Sequence, residues 1–299
     1  AIYRKWASNR LQALENWIDQ WDHPALHVVG GKGANHAWYL SSLKAELCQL
    51  MGGHLTGGSI DIFKCFDQIN RTLLRDIAEA AGMPKCILTP YFAYIDNLRV
   101  RYQMGDFIGP PNHEVRSIPQ GCPFSMALVA LVTRIWVNVM EEHHVEPGCL
   151  ADDLMFTAQG TGHLTRTLTG MMHSRQFFTD MGAKVATTCF AFSTCAKTRD
   201  FLRSYRWDHL DLLIPVVHSF RDLGTHLNLT AHANGSTLTQ RMLRGARAVR
   251  RLAYVPISIA DKELVIRCSI LPAALYGCET ADISQVALQR LRSAIAAVV

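Results

Sequence analysis

Two adjacent carboxylates, Asp152 and Asp153, stand inside the run Cys149-Leu150-Ala151-Asp152-Asp153-Leu154-Met155-Phe156. The alternation on either side of the pair reads as a tight β-hairpin. An Asp-Asp pair is ordinarily a solvated turn. Here the apolar neighbours argue against simple solvation, because like charges in poorly hydrated surroundings raise each other's pKa unless a cation lies between them. A hard divalent cation with oxygen ligands is the natural compensation. A distant third acid, Asp61, closes the short apolar segment beginning at Ser59, which predicts a strand over 59–63, and would complete the cage.

The chain around these acids is large enough for a real core. It has 299 residues, 49% apolar and 18% charged, which excludes a disordered tail or a disulfide mini-protein. The nine cysteines show no CxxC pair and no regular spacing, so they read as free or buried thiols in a reducing, intracellular compartment. The most apolar stretch, 123–140, carries Arg134 in its middle and is too short for a comfortable membrane span. His143 and His144 lie near Cys149 but lack a fourth zinc ligand at usable spacing, and read as surface or helix-end residues.

Periodicity predicts helices over 37–50, 70–81, 85–98, 123–142 and 164–181. Strands are predicted over 183–192, and over 210–217 paired with 223–229, with a small strand-turn-strand over 100–108. From Thr237 onward the chain reads as helices broken at Pro256, Pro272 and Gly277. Strands and helices intersperse between helical ends, which is an α+β order.

Two further segments carry chemistry. In Asp61-Ile62-Phe63-Lys64-Cys65-Phe66-Asp67 an aromatic follows the first acid by five residues. Pro119-Gln120-Gly121-Cys122-Pro123-Phe124-Ser125 is a Gly/Pro turn feeding a long helix. Two cations held a few ångströms apart by such acids can activate a primer hydroxyl and stabilise departing pyrophosphate. Taken alone, Phe66 is equally a core aromatic, Gln120 equally a turn residue, and Lys32 in Gly30-Gly31-Lys32-Gly33 a solvated loop lysine. That loop is no P-loop, since Gly33 follows where Ser or Thr is needed.

The order Asp61…Phe66-Asp67, then Pro119-Gln120-Gly121…Ser125, then Ala151-Asp152-Asp153 resembles the palm motifs of reverse transcriptases. Arg221-Asp222-Leu223-Gly224 resembles their primer-grip hairpin, and Leu271 to Glu279 (LPAALYGCE) resembles a stretch that the non-LTR, LINE-type retrotransposon group carries after the palm. The resemblance covers roughly residues 1–280. It implies a right-hand polymerase with an antiparallel palm sheet: partial fingers over 1–58, a palm over 59–229 with inserted fingers at about 77–118, and a helical thumb over 232–299. It implies RNA-directed DNA polymerisation by a two-metal mechanism, with Mg²⁺ (two ions, or Mn²⁺), an RNA template, a DNA primer and dNTPs as partners. Asp61 and Asp152 would bind the metals, with Asp153 supporting them. Phe66 would be the steric gate against a ribose 2′-hydroxyl. Gln120 and Gly121 would lie against template and nucleotide, Lys32 near the triphosphate, and Leu223 and Gly224 at the primer end. A nuclear location follows by analogy with the family.

The sequence departs from that pattern in places. Leu150 replaces an aromatic, Ser117 a common glycine, and Met126 a proline, while Thr188 and Cys189 fall where a lysine that assists the leaving pyrophosphate is expected. Tyr3-Arg4 and Arg10 resemble a helix that follows an early basic motif in the family. A group II intron-type enzyme, an RNA-dependent RNA polymerase and a decayed, nucleic-acid-binding relic remain alternatives. The RNA polymerases usually place an acid where Phe66 stands. In the last segment, 232–299, nine basic residues face four acids. Arg241, Arg244, Arg247, Arg250 and Arg251 recur about every three residues, opposite Met242, Ala246 and Val249. Such a stripe either is a solvated face or tracks a phosphate backbone.

Overall fold

The computed structural model describes residues 2–28, 31–112, 116–186, 188–207, 214–229 and 235–299. The chain divides into two compact units, Ala1–Ala37 with Gly53–Val216, and Trp38–Gly52 with Val217–Val299. In chain order the elements are α1 (Ile2–Gln12), α2 (Glu15–Ile18), α3 (Ala34–Leu50), β1 (Leu55–Asp61), α4 (Cys65–Gln68), α5 (Arg71–Ala80) and α6 (Lys85–Asp96). There follow β2 (Gln103–Met104), β3 (Phe107–Ile108), α7 (Ser125–Glu142), β4 (Glu146–Leu150), β5 (Asp153–Gln159), α8 (His163–Asp180), β6 (Phe190–Ser193), α9 (Ala196–Ser204) and β7 (Val216–Val217). The last are β8 (Ser219–Asp222), β9 (Thr225–Asn228), α10 (Ser236–Leu252), α11 (Ile259–Val265), a π-helical turn (Ile266–Ile270), α12 (Leu271–Leu275) and α13 (Gln285–Ala296).

The first unit is built on a sheet in the order β4-β5-β1-β6-β7. β1 pairs antiparallel with both β5 and β6, and so runs through the middle. Its first half, Leu55-Thr56-Gly57-Gly58, carries two adjacent glycines, which are poor strand formers. Packing explains it. A Cβ on Gly57 would sit on the Phe156 carbonyl oxygen and 2.7 Å from the Phe192 ring, and one on Gly58 would meet the Met171 methyl at 2.7 Å. The missing side chains make room for rings from both neighbouring strands. The outer edge of β4 is covered by the backbone of 25–27: His27 N–H donates to Cys149 O at 2.9 Å, and Cys149 N–H donates to Ala25 O at 2.8 Å.

The apolar helix α7 is buried along most of its length, which is why it is hydrophobic on nearly every side. It packs with β4, α5 and α8. Trp136 is fully buried, and its indole N–H donates to Ser174 Oγ on α8 at 2.8 Å. Among the described residues no helix is long and apolar enough to cross a membrane. In the second unit Leu238, Met242, Ala246 and Val249 of α10 form a small core with Ile266, Ala274, Ala287 and Leu291.

Several expectations need correction. The strand expected over 183–192 is short, Phe190–Ser193, and the segment before it makes one bridge, Ile62 to Val185. The strand expected over 210–217 has residues 210–213 outside the described set. Its expected pairing with 223–229 is replaced by a hairpin of β8 with β9, in which Ser219 faces Asn228. The reason is local: Leu223-Gly224 makes the turn, so the strands lie on either side of it rather than after it. In the small hairpin expected over 100–108 the second strand lies at Phe107–Ile108 as expected, while its partner is Gln103–Met104 rather than 100–102. Pro272 does not break its helix. It lies in the first turn of α12, directly after the π-helical turn, where Leu271 N–H donates to Ile266 O.

Candidate functional site

The three acids meet at one end of the central sheet. β1 ends on Asp61, whose register partner on β5 is Asp153. Asp152 lies in the two-residue turn between β4 and β5, after Ala151, which takes a left-handed φ of 57°. That conformation is disfavoured for alanine by roughly 1–2 kcal/mol, and backbone strain of this kind collects where a side chain must be aimed.

Among the described residues no basic side chain pairs with any of the three acids. Partial desolvation raises the Asp152 carboxyl first, and the charge of Asp61 adds to it. Desolvation and then the charges of Asp152 and Asp61 push Asp153 up to about 6. Asp153 is exposed, so solvent softens both the desolvation and the repulsion, and the upward direction is what stands. The neighbouring Cys65 thiol is pushed up to about 12 by burial, then by Asp152 and Asp61. Among the described residues no three acidic, histidine or cysteine groups converge tightly enough to hold one ion by themselves. The pair His143 and His173 stack with ring centroids 3.8 Å apart, and His143 caps the end of α7.

Asp61 is held from the other side. Thr188 Oγ1 donates to Asp61 Oδ2 at 2.8 Å, and Ala186 N–H donates to Asp61 O at 2.8 Å. Thr188 stands where the resemblance leads one to expect a lysine, and only that departure marks it in the sequence.

Phe66 lies on α4, half-buried against the core of the first unit. Its carbonyl accepts from Ile118 N–H at 2.8 Å, and Ile69 O accepts from Ser117 N–H at 3.0 Å. These bonds bring the turn that carries Gln120 and Gly121 beside α4. Buried Arg71 fixes the same segment: Nε donates to Ser117 O at 3.0 Å and Nη1 to Ile95 O at 2.7 Å. Ser117 itself has φ 91°, a glycine conformation occupied by serine. Gln120 is exposed, and Gly121, at φ 76°, has the Arg4 guanidinium 3.3 Å from where a Cβ would be.

Lys32 is not brought to the acids. Its ammonium group pairs with Asp22 at 3.0 Å and donates to His23 O at 3.0 Å.

In the second unit Leu223 and Gly224 form the β8–β9 turn with φ of 44° and 90°. On α10, Arg244, Arg247, Arg250 and Arg251 are exposed. Arg241 differs: it is half-buried, donates to Tyr276 O at 2.9 Å, and its guanidinium lies 5.2 Å from the Tyr276 ring centroid. Tyr276 belongs to the LPAALYGCE stretch, but periodicity gives no sign of its contacts.

No family model and no curated protein sequence matches the chain. Solved structures do resemble it. Apo telomerase from Candida tropicalis truncated of its C-terminal domain superposes with a TM-score of 0.53 at 12% identity, over 76% of this chain and 44% of that one. Telomerase from the same organism in complex with a TWJ fragment of telomeric RNA gives 0.57 at 11% identity, over 93% and 46%. The apo form gives 0.55 at 10% identity, over 96% and 52%. The chain thus spans about half the length of the solved chains it matches. The fold is that of a right-hand polymerase, α+β with antiparallel sheets.

Proposed function

We propose that the chain is an RNA-directed DNA polymerase of the non-LTR retrotransposon kind, lengthening a DNA primer with dNTPs on an RNA template. The observation that carries this reading is the sheet end where Asp61, Asp152 and Asp153 meet, with no counter-cation among the described residues. The donor set is hard oxygen throughout, which suits Mg²⁺ or Mn²⁺. Mg²⁺ is ordinarily bound through one or two carboxylates, with water and substrate phosphates completing its shell, so a three-residue cage is not required. Asp61 and Asp152 would hold the ions, with Asp153 beside them. Bound there, such ions supply activation of the primer hydroxyl and neutralisation of the pyrophosphate charge.

The chain's own groups do the positioning. Thr188 orients Asp61 through its hydroxyl. The Phe66 ring excludes a ribose 2′-hydroxyl, and Gln120 and Gly121 rest against the nucleotide. The exposed arginines of α10 follow the phosphate backbone. The RNA fragment bound by one of the similar telomerases supports RNA as the class of template. A nuclear location belongs to the same reading.

The test is primer extension on an RNA template with dNTPs and Mg²⁺ or Mn²⁺, beside Asp152→Asn. Extension by the wild type and none by the variant, at equal melting temperature, is the expected result. Near-wild-type extension by Asp152→Asn would refute the metal assignment. A second reading, binding without turnover, is favoured by Thr188 and Cys189 in place of the expected lysine. It is the outcome if primer–template binds and no metal-dependent extension occurs.

A further inference from the structure

The β8–β9 turn is held by a tyrosine to which the sequence gives no role. Leu223 and Gly224 both have positive φ, the backbone of a type I′ hairpin turn. Leucine at the first of these positions is strained. Its carbonyl is tied down by Tyr276, whose hydroxyl donates to Leu223 O at 3.2 Å. The same hydroxyl accepts from Trp38 Nε1 at 3.1 Å, so both its donor and its acceptor capacity are used. The ring reaches the other turn residue: a Cβ on Gly224 would lie 3.3 Å from Tyr276 Cε1 and 3.4 Å from Arg241 Nη2. Arg241 holds the tyrosine's own carbonyl. The next residue, Gly277, has φ 79°, and a Cβ there would collide with Thr225 Cγ2 at 2.7 Å. Tyr276-Gly277 is therefore shaped to lie directly on this hairpin.

Packing alone would be served by phenylalanine. The hydroxyl bridging Trp38 and the turn carbonyl is what demands tyrosine. We propose that Tyr276 is a positioning residue for the primer end: it sets the Leu223–Gly224 turn through its hydroxyl, with Trp38 and Arg241 fixing the tyrosine. This rests on the reading of that turn as the primer-contacting hairpin.

Tyr276→Phe keeps the ring and removes the one hydroxyl. Two measurements on the full chain decide the proposal without needing turnover: amide hydrogen exchange over 219–228, and fluorescence anisotropy of a labelled RNA-template–DNA-primer duplex. The expected result is exchange in the hairpin two- to tenfold faster, the effect of one lost neutral hydrogen bond. Primer–template affinity should fall by a similar factor, while exchange in α7 is unchanged. Trp38→Phe should give the same pattern in weaker form, since the tyrosine hydroxyl then loses its donor. Unchanged hairpin exchange overturns the proposal, as does faster exchange with undiminished affinity. Where the wild type extends primers, the apparent KM for primer–template should rise in Tyr276→Phe and the KM for dNTP should not. A fall in kcat with both KM values unchanged overturns the positioning role. A wild type that binds duplex without extending it removes the polymerase reading and leaves the exchange and affinity results to decide this one. A wild type that does not bind duplex overturns both.

Discussion

Replacing Ser117 by glycine should make the protein more stable, although it deletes a side chain. At φ 91° the serine Cβ is held in a conformation that L-residues avoid, a strain of roughly 1–2 kcal/mol. The conformation persists because the backbone is fixed on both sides: Ser117 N–H to Ile69 O, Arg71 Nε to Ser117 O, and Ile118 N–H to Phe66 O. None of these bonds uses the hydroxyl, so all survive the substitution. Glycine gives back about 0.5–1 kcal/mol through the greater freedom of its unfolded chain. The net gain is about 0.5–1 kcal/mol, or a rise in Tm of about 1–3 °C at the sensitivity of a chain this size. Thermal melting followed by circular dichroism reads it directly. Ser117→Val, with a branched Cβ at the same φ, should melt several degrees lower. If Ser117→Gly melts lower than wild type, or Ser117→Val higher, the strain argument is wrong.

The remaining predictions concern the sugar gate, the sheet and the basic helix. Phe66→Ala should admit ribonucleotides into the extended primer, and unchanged sugar selectivity would show that Phe66 is not the gate. His163 donates to or accepts from Thr56 Oγ1 at 2.7 Å, and burial, then His54 and Arg166, hold its pKa below the ordinary histidine value of 6.5. Its neutral form is the folded form, so its contribution to stability is complete above about pH 6.5 and is lost as pH falls below. Wild type should therefore lose Tm between pH 7 and 5 more steeply than His163→Asn, and parallel curves would contradict the assignment. Replacing Arg244, Arg247 and Arg251 together by Gln should lower the salt slope of duplex binding by about two to three. An unchanged slope would leave the stripe a solvated face.

The acid-bearing hairpin was legible because its alternation has the strand period and its charges break an apolar run, a conflict with one ready resolution. The start of β1 was not legible. Gly57 and Gly58 carry no strand propensity, and what makes them a strand is the pair of rings from β5 and β6 that need their space. The β8–β9 register was missed for a related reason. Leucine is a poor signal for a left-handed turn position, and the bond that holds Leu223 there comes from Tyr276, far along the chain. Pro272 misled because a proline after a π-helical turn need not end the helix. Departures from the family pattern were more informative than matches. Ser117 retains the glycine backbone without the glycine, and Thr188 brings a hydroxyl to the acid where a lysine was expected.

The division of the chain into units has a consequence for how the protein is made. The second unit takes its first piece, Trp38–Gly52, from the early part of the chain and the rest from Val217 onward. The hydrogen bond from Trp38 to Tyr276 joins residues 238 positions apart. At about 5–20 residues per second of synthesis, Trp38 waits roughly 10–50 s for its partner. During that interval Trp38 stays without the Tyr276 hydroxyl that accepts from its indole N–H. The ribosome thus delivers an aromatic segment that depends on a partner made 238 residues later, and premature termination after Val216 strands it.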